Sequence, residues 1–278
     1  MPARGSILFL VGRGDNYEKY LEALDHWHQK GWQVSAIDWR GQAGSGRLGA
    51  DEVTGHITDF DVWIQDLTAY WRDWVKAEPG PHVLIGHSMG GHLALRAVAE
   101  HAVEPDALVL SAPMLGFLGL LPRKFMHSVA RRMCRTGDPR RPAWKWSEKP
   151  GEFPKGRQSL LTYDDERYAD ELWWRDHRPE LVMGPGSWGW VERAFESNRL
   201  LDQPGILEAI TIPVFAIATS NDKLVNPRSI DRAMARIPGA EILHFGPEAN
   251  HEILREVDAV RDRALTGIDN FLDRVVPA

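Results

Sequence analysis

A serine between glycines lies where an apolar run gives way to a helix-forming segment. Residues 86–90 have the order Gly-His-Ser-Met-Gly and fit the pattern G-x-S-x-G. The preceding run 83–86 is typical of a buried strand, and residues 92–101 favour a helix. A nucleophile exposed on so sharp a turn needs small residues on both sides, which the two glycines provide. We therefore predict that Ser88 is a nucleophile; the alternative is a glycine-rich turn with an unreactive serine.

A base and an acid for this serine are expected near the end of the chain. A serine hydroxyl is a weak nucleophile until a histidine accepts its proton. His251 follows the predicted strand 242–245, and Asp222 follows the predicted strand 212–218. The carboxyl ends of parallel strands meet at one edge of a sheet, so these side chains are expected to meet there. We predict a Ser88–Asp222–His251 triad; the alternatives are that His251 caps a helix and Asp222 forms a turn.

Other histidines and acids fit these roles less well. His87 adjoins the serine but is expected to point away from it on the turn, and His244 lies inside a predicted strand. Asp38 ends the predicted strand 34–39 and is expected to organise the turn that follows it. None of these side chains is therefore assigned to the triad.

The negative charge that develops on an attacked carbonyl oxygen requires two N–H donors. The backbone N–H of Met89 is one of them, because it directly follows the nucleophile. The second is expected from the loop after the first strand, residues 12–15, where we assign the backbone N–H of Arg13. The alternative for this loop is a glycine turn with a surface arginine.

The sequence predicts neither a cofactor nor a metal. Gly12 and Gly14 lack the third glycine of a dinucleotide-binding motif, and no His-Glu-x-x-His pattern is present. His82, His87 and His92 recur every five residues, but they fall on a strand, a turn and a helix and are expected to diverge. The predicted chemistry needs only side chains, backbone N–H groups and water.

Composition places the chain among ordinary globular proteins. Of its 278 residues 26% are charged and 43% hydrophobic, and its net charge of −6 gives no general attraction to nucleic acid. The single cysteine, Cys134, excludes an internal disulfide and favours a reducing compartment. No stretch of about 18 apolar residues is present, and the first apolar run is too short for the core of a signal peptide, so we expect neither a membrane span nor a secretory leader. We therefore expect a soluble, cytoplasmic protein.

Strand-like and helix-like segments alternate at both ends of the chain. Strands are predicted at six short apolar runs, residues 7–11, 34–39, 83–86, 107–111, 212–218 and 242–245. The alternation indicates an α/β fold with a mostly parallel central sheet flanked by helices. Residues 114–205 break it, because they are rich in Trp, Arg, Pro and Gly and contain no convincing strand. We predict a core of residues 1–113 and 206–278 with a helical insertion, acting as a lid, at 114–205.

At these motifs the chain resembles the monoacylglycerol lipase and lysophospholipase branch of the α/β-hydrolases. The matching pieces are residues 86–91, 38–42, 55–66, 221–222 and 250–252, which arrive in the expected order. They cover most of the chain outside the insertion. The resemblance implies an α/β-hydrolase fold, cleavage of a single acyl chain from a glycerol-type ester, and an insertion that serves as a lid.

The loop before Arg13 departs from this family. Its members usually carry His-Gly ahead of the oxyanion donor, whereas this chain has Val11-Gly12. Because the donor is a backbone N–H, the function can survive, but the loop must be supported differently. Arg13 followed by Glu-Lys-Tyr at residues 18–20 resembles the bacterial lysophospholipase-like members, which are the closer branch.

The first part of the insertion is strongly basic. Residues 120–160 contain eleven Lys and Arg against three Asp and Glu, a net charge of +8 in a chain that totals −6. Leu121, Phe125, Val129 and Met133 recur among them every four residues. A basic amphipathic helix of this kind is typical of contact with an anionic membrane. The alternative is a helix whose apolar face covers the active site, and the two interpretations are compatible.

Half of the twelve tryptophans also fall in the insertion. They are Trp144, Trp146, Trp173, Trp174, Trp188 and Trp190. Tryptophans at these positions could line an acyl pocket or form the insertion's own core, and we favour the core.

Together these features predict a serine hydrolase that cleaves a lysophospholipid or a monoacylglycerol through an acyl-enzyme. Its expected partners are this lipid ester or a small-molecule ester and, through the basic insertion, an anionic inner-membrane face. The alternatives are a small-molecule carboxylesterase, an aminopeptidase, or a catalytically silent hydrolase-fold binding protein. An aminopeptidase would need acidic groups near the pocket to hold a substrate amine, and Asp15 is the obvious candidate.

Overall fold

The computed structural model describes residues 3–118, 122–145 and 155–277. In these residues six strands form one parallel sheet with the order β2-β1-β3-β4-β5-β6. The strands are β1 (Gly5–Leu10), β2 (Trp32–Ile37), β3 (His82–His87), β4 (Ala107–Ser111), β5 (Val214–Thr219) and β6 (Glu241–Phe245). The α/β class and the mostly parallel sheet predicted from the sequence are confirmed.

Helices connect the strands, and several of them pack against the sheet. They are α1 (Leu21–Gln29), α2 (Phe60–Ala77), α3 (Met89–Ala99), α4 (Arg123–Arg135), α5 (Lys155–Leu161), α6 (Asp165–His177), α7 (Trp188–Leu201), α8 (Pro227–Met234) and α9 (Asp258–Val275). Helix α1 contacts β2, α3 contacts β3, and α9 contacts β4 and β5. None of the helices in the described ranges is long and apolar enough to cross a membrane.

The inner strands of the sheet form the centre of the core. Nearly every residue of β1, β3, β4 and β5 is buried, whereas the edge strands β2 and β6 are partly exposed. A parallel sheet covered on both faces requires continuous apolar runs rather than alternation. All strands end at the same edge of the sheet. The loops that follow β1, β3, β5 and β6 therefore meet there, and they carry the side chains of the candidate site.

Between β4 and β5 the described residues form four helices, α4 to α7. Helix α4 packs against α7, and α7 also contacts α2 of the core. Gly55 and Gly186 form a β-bridge between core and insertion. Further on, the N–H groups of His251 and Glu252 donate to the carbonyls of residues 160–161, at 3.3 and 2.8 Å. Hydrogen bonds thus join the insertion to the core at both of these places.

The tryptophans of the insertion do not form one core. Trp190 is buried, but Trp144 and Trp173 are 44% and 51% exposed. Trp146 lies outside the described residues. The prediction that these side chains form the insertion's own core is therefore wrong for Trp144 and Trp173, and Trp190 is buried within the main core, where its ring lies 6.1 Å from that of Phe60. A count of aromatic residues does not show which of them are covered.

Candidate active site

The structure brings Ser88, His251 and Asp222 into one hydrogen-bonded line. The Oγ of Ser88 lies 2.9 Å from Nε2 of His251, and Nδ1 of His251 lies 2.6 Å from Oδ2 of Asp222. The other carboxylate oxygen of Asp222 accepts the backbone N–H groups of Leu224 and Val225, at 2.8 and 2.9 Å. The carboxylate is thus held by its own loop and faces the imidazole with one defined oxygen.

Ser88 lies on a strained turn between β3 and α3. Its φ of 51° and ψ of −115° are unusual for a residue with a side chain, and such strain is common where a nucleophile is presented. At this turn β3, α3 and β1 approach so closely that Gly86 and Gly90 leave no room for a side chain. A Cβ added at Gly86 would lie 2.7 Å from the backbone of Gly90, and one added at Gly90 would lie 2.3 Å from the carbonyl oxygen of Leu10.

The loop after β1 lies against the nucleophile. A Cβ added at Gly12 would lie 3.2 Å from the Cβ of Ser88. Gln42 braces this loop from both sides, because it accepts the N–H of Gly14 at 2.8 Å and donates to the carbonyl of Gly12 at 3.3 Å. Trp39 adds a hydrogen bond from its indole N–H to the carbonyl of Val11 at 2.8 Å.

The side chain of Arg13 is turned toward the insertion. Its guanidinium donates to the carbonyl of Gly184 at 2.8 Å and lies over the rings of Trp144 and Trp190, each at 5.1 Å. The backbone of Arg13 is therefore fixed between Gln42 on the core side and these tryptophans on the insertion side. Met89 is the first residue of α3, where a backbone N–H has no partner within the helix.

Electrostatics favour a charged form of His251 that can develop during a reaction. Burial lowers the pKa of His251, but the charge of Asp222 and its hydrogen bond outweigh burial, with Glu252 and Asp15 adding to the effect. The pKa of His251 is therefore raised above its ordinary value of 6.5. Burial raises the pKa of Asp222, and its interactions with His251 and with two N–H groups lower that pKa below the usual range.

His87 lies beside the catalytic candidates but not in their line. Its Nδ1 is 3.4 Å from Oγ of Ser111, and its ring centroid is 4.9 Å from that of His251. Burial, with the nearby positive charge of His251, lowers the pKa of His87 to about 4. His87 is therefore a neutral neighbour of His251 at physiological pH.

The sequence analysis missed a buried charged cluster behind His251. We call it the Lys19 cluster, and its five members are Asp15, Lys19, Glu171, Glu252 and Arg255. Each side chain is at most 5% exposed. Two signals in the sequence could have pointed to it: Glu252 directly follows His251, and Lys19 lies four residues after Asp15. Glu171 lies in the insertion, where no pattern singles it out.

Two members of this cluster, together with His87, have the spacing of metal ligands. One ligand atom each of Asp15, His87 and Glu252 lies within 4.8 Å of the others. The ammonium of Lys19, however, is 2.7 Å from Asp15 and 2.5 Å from Glu252. A cation already lies between the two carboxylates, so their charge needs no metal for compensation.

The geometry agrees with the families to which the sequence is similar. The model of the Hydrolase_4 family, described as serine aminopeptidase, S33, matches residues 1–258. The chain belongs to this family. This Hydrolase_4 member is 30% identical to lysophospholipase L2 of Escherichia coli (strain K12), over 96% of this chain and 80% of the relative. It is 26% identical to a probable lysophospholipase L2 of Haemophilus influenzae, over 97% and 84% of the two chains.

Solved structures support the fold of this Hydrolase_4 member. A soluble variant of monoglyceride lipase from Saccharomyces cerevisiae superposes with a TM-score of 0.78, at 18% identity, and the match covers 98% of this chain and 87% of the lipase. Such a likeness shows the α/β-hydrolase fold. The predicted resemblance to the lysophospholipase and monoacylglycerol lipase branch is confirmed, and so is the prediction that the chain is a hydrolase.

Proposed function

We propose that this chain hydrolyses the carboxylic ester of lipids with a single acyl chain, a lysophospholipid or a monoacylglycerol. Ser88 is the nucleophile, His251 the general base and acid, and Asp222 the group that orients His251. The observation that carries the proposal is the continuous line from Ser88 Oγ through His251 to Asp222, with distances of 2.9 and 2.6 Å. A serine, a histidine and an aspartate joined in this way supply the nucleophile, the base and the orienting group of serine-based acyl transfer.

The first half of the reaction forms an acyl-enzyme. His251 Nε2 accepts the proton of Ser88 as Oγ attacks the ester carbonyl carbon. The carbonyl oxygen becomes an oxyanion and accepts hydrogen bonds from the backbone N–H groups of Met89 and Arg13. When the tetrahedral intermediate collapses, the C–O bond to the glycerol part breaks. The departing alkoxide takes the proton from His251, and the fatty acyl group remains on Ser88.

The second half releases the fatty acid. A water molecule attacks the acyl carbon while His251 Nε2 accepts its proton, and the same N–H donors stabilise the second oxyanion. The bond between the acyl carbon and Ser88 Oγ then breaks, and His251 returns its proton to the serine. Asp222 keeps Nδ1 protonated throughout, so Nε2 stays available as the acceptor.

Support for a lipid ester comes from the relatives and from the insertion. Lysophospholipase L2 of Escherichia coli is named for a single-chain lipid and matches nearly the whole chain. An aminopeptidase is not favoured, because Asp15, the acid that could hold a substrate amine, is 2.7 Å from Lys19 and also accepts the hydroxyl of Tyr20 at 2.7 Å. Insertion residues 114–205, proposed as the lid, contact the loop that carries Arg13.

The substrate class is tested by comparing one long-chain lysophosphatidylcholine, the matched monoacylglycerol and p-nitrophenyl butyrate. We expect kcat/KM for at least one long-chain lipid to exceed that for the butyrate ester by about tenfold, since each buried methylene favours binding. Release of fatty acid is measured by titration. The Ser88→Ala variant controls for contaminating lipases, and Ser128→Ala on the exposed side of α4 is the matched serine control. Activity confined to the butyrate ester would leave a small-molecule carboxylesterase.

We further infer that α4 contacts an anionic membrane surface, such as the inner face of a cell membrane. Phe125 on α4 is 54% exposed, and Leu118 shortly before the helix is 47% exposed. Lys124 and Arg132 are exposed on the same helix, and only Ala130 within it is buried. An exposed aromatic among basic side chains is suited to insertion between anionic head groups. Leu121, which belonged to the predicted stripe, lies outside the described residues.

Phe125→Ala is expected to weaken binding to vesicles of phosphatidylglycerol and phosphatidylcholine by about tenfold, because the ring loses its contact with acyl chains. Arg132→Gln should weaken binding by about fivefold, through loss of one basic group at the surface. Sedimentation with vesicles measures both effects. Tyr70→Ala, which removes an exposed ring from α2, is the matched control and should leave binding unchanged. Equal binding to vesicles with and without phosphatidylglycerol would contradict the inference.

A further inference from the structure

The Lys19 cluster lies at the meeting point of three separate segments. Asp15 and Lys19 belong to the stretch after β1, Glu252 and Arg255 follow His251, and Glu171 comes from α6 of the insertion. The Nζ of Lys19 lies 2.7 Å from Asp15, 2.5 Å from Glu252 and 3.1 Å from Glu171. We call residues 12–15, which carry the proposed oxyanion donor Arg13, the oxyanion loop. One ammonium thus joins the oxyanion loop, the loop that carries His251 and the insertion.

A second cation completes the arrangement. One guanidinium nitrogen of Arg255 lies 2.5 Å from Glu252 and 3.2 Å from Glu171. Arg157 and Arg175 approach Glu171 from its other side, each at 3.7 Å. Burial raises the pKa of Glu252, but Lys19 and Arg255 outweigh burial and lower that pKa to about 2. The carboxylates of the cluster are therefore charged at neutral pH.

Two members of the cluster are directly connected to residues of the proposed active site. Asp15 accepts the backbone N–H of Gly12 at 3.3 Å, next to the proposed oxyanion donor. Glu252 is the chain neighbour of His251. Burying several charges away from water costs free energy unless every charge is paired. A fully paired cluster can hold the segments that carry it in one defined arrangement.

We propose that Glu252 and Glu171 are positioning residues for the hydrolytic reaction. Through Lys19 they hold the His251 loop and the oxyanion loop against α6, and their negative charge supports the imidazolium that forms on His251. This rests on the proposed function only in that Ser88 and His251 carry out the reaction; the identity of the ester does not enter.

The charged and titratable groups around His251 determine how each substitution should change the pKa of His251. Asp222 faces Nδ1 after β5, and His87 lies beside the ring on β3 and is neutral. Glu252 and Asp15 each raise the pKa of His251. Removal of a carboxylate charge therefore lowers this pKa, whereas removal of the Lys19 charge raises it. A histidine acts as base only when neutral, so the acid limb of the pH–rate profile follows the same shifts.

The experiment measures the acid limb of kcat/KM for p-nitrophenyl butyrate and, independently of activity, the titration of the His251 ring by NMR. Glu252→Gln should move both midpoints down by about one pH unit, and Glu171→Gln by about half a unit through its effect on Lys19. Glu166→Gln changes an exposed acid on the same helix, α6, and should leave both midpoints unchanged. Lys19→Met should move them upward.

The opposite directions of the midpoint shifts in Lys19→Met and Glu252→Gln distinguish a positioning role from a loss of stability. A merely structural defect would lower activity in Lys19→Met and Glu252→Gln alike without moving the midpoints in opposite directions. Where Lys19→Met does not fold, the size of the downward shift still tests the proposal. It should be largest in Glu252→Gln, smaller in Glu171→Gln and absent in Glu166→Gln. Unchanged midpoints in folded Glu252→Gln and Glu171→Gln would overturn the proposal. Failure of the lipid-ester proposal would change only which esters are hydrolysed. The shifts in the titration of His251 would stay the same.

Discussion

Ser88→Ala is expected to lower kcat/KM by about 10⁶-fold and Asp222→Asn by about 10⁴-fold, measured on the preferred ester. Loss of the serine removes the nucleophile itself. The effect of Asp222→Asn follows from the hydrogen bonds of the carboxylate. Oδ1 accepts two N–H groups from the following loop, so the amide oxygen of an asparagine would stay there. The amide NH₂ would then face Nδ1 of His251 and force it to act as an acceptor.

That exchange leaves His251 in the wrong tautomer. With Nδ1 as the acceptor, the neutral ring carries its proton on Nε2, which can no longer take the proton of Ser88. Asp38→Asn is the matched control, because Asp38 is a half-buried acid whose pKa burial and the nearby Glu18 raise to about 6. We expect Asp38→Asn to keep activity within about twofold. If Asp38→Asn lost as much activity as Asp222→Asn, the assignment of Asp222 as the acid of the triad would be wrong.

Gly90→Ala is expected to lower the free energy of unfolding by about 3 kcal/mol and Gly90→Val by more. A Cβ at this position would lie 2.3 Å from the carbonyl oxygen of Leu10 and 2.4 Å from that of Val11. Both are backbone atoms at the end of β1, so no side-chain rotation relieves the contact. To accept the methyl group, α3 must move away from β1, and the oxyanion loop moves away from Ser88. Urea unfolding and kcat measure the two consequences.

Gly156→Ala provides the matched control for this effect. Gly156 also lies in a helix, α5, and a Cβ there would have no atom within 4 Å. The substitution should leave stability unchanged or raise it by up to about 1 kcal/mol, since alanine favours a helix over glycine. Equal stability of Gly90→Ala and the wild-type protein would show that α3 and β1 are not packed as described.

Much of the site could be predicted because the chemistry lies at strand ends. Ser88 and Asp222 each follow a continuous apolar run that identifies a buried parallel strand, whereas His251 follows the shorter run 242–245, which lies in the partly exposed edge strand β6. A parallel sheet has all its carboxyl ends at one edge, so the order of strands along the chain was sufficient to bring the three residues together. The loop around Arg13 was placed by the same argument, although its braces, Trp39 and Gln42, were not foreseen.

The packing of the insertion and the charged cluster could not be predicted in this way. Lys19 and Glu252 are separated by 233 residues, and only the folded chain shows that their side chains are 2.5 Å apart. Glu171 resembles any other acid on a helix until the packing of α6 is known. The exposure of Trp173 illustrates the same limit, because composition gives the number of aromatic residues but not the direction in which each one points.

The hydrogen bonds from His251 and Glu252 to the carbonyls of residues 160–161 have a consequence for how the molecule comes apart. They join the insertion to the loop that carries His251, the proposed base. We therefore expect the backbone amides of this loop and of α5 to exchange with solvent through the same opening event. A shorter variant without α5 and α6 would lack partners for its own catalytic loop.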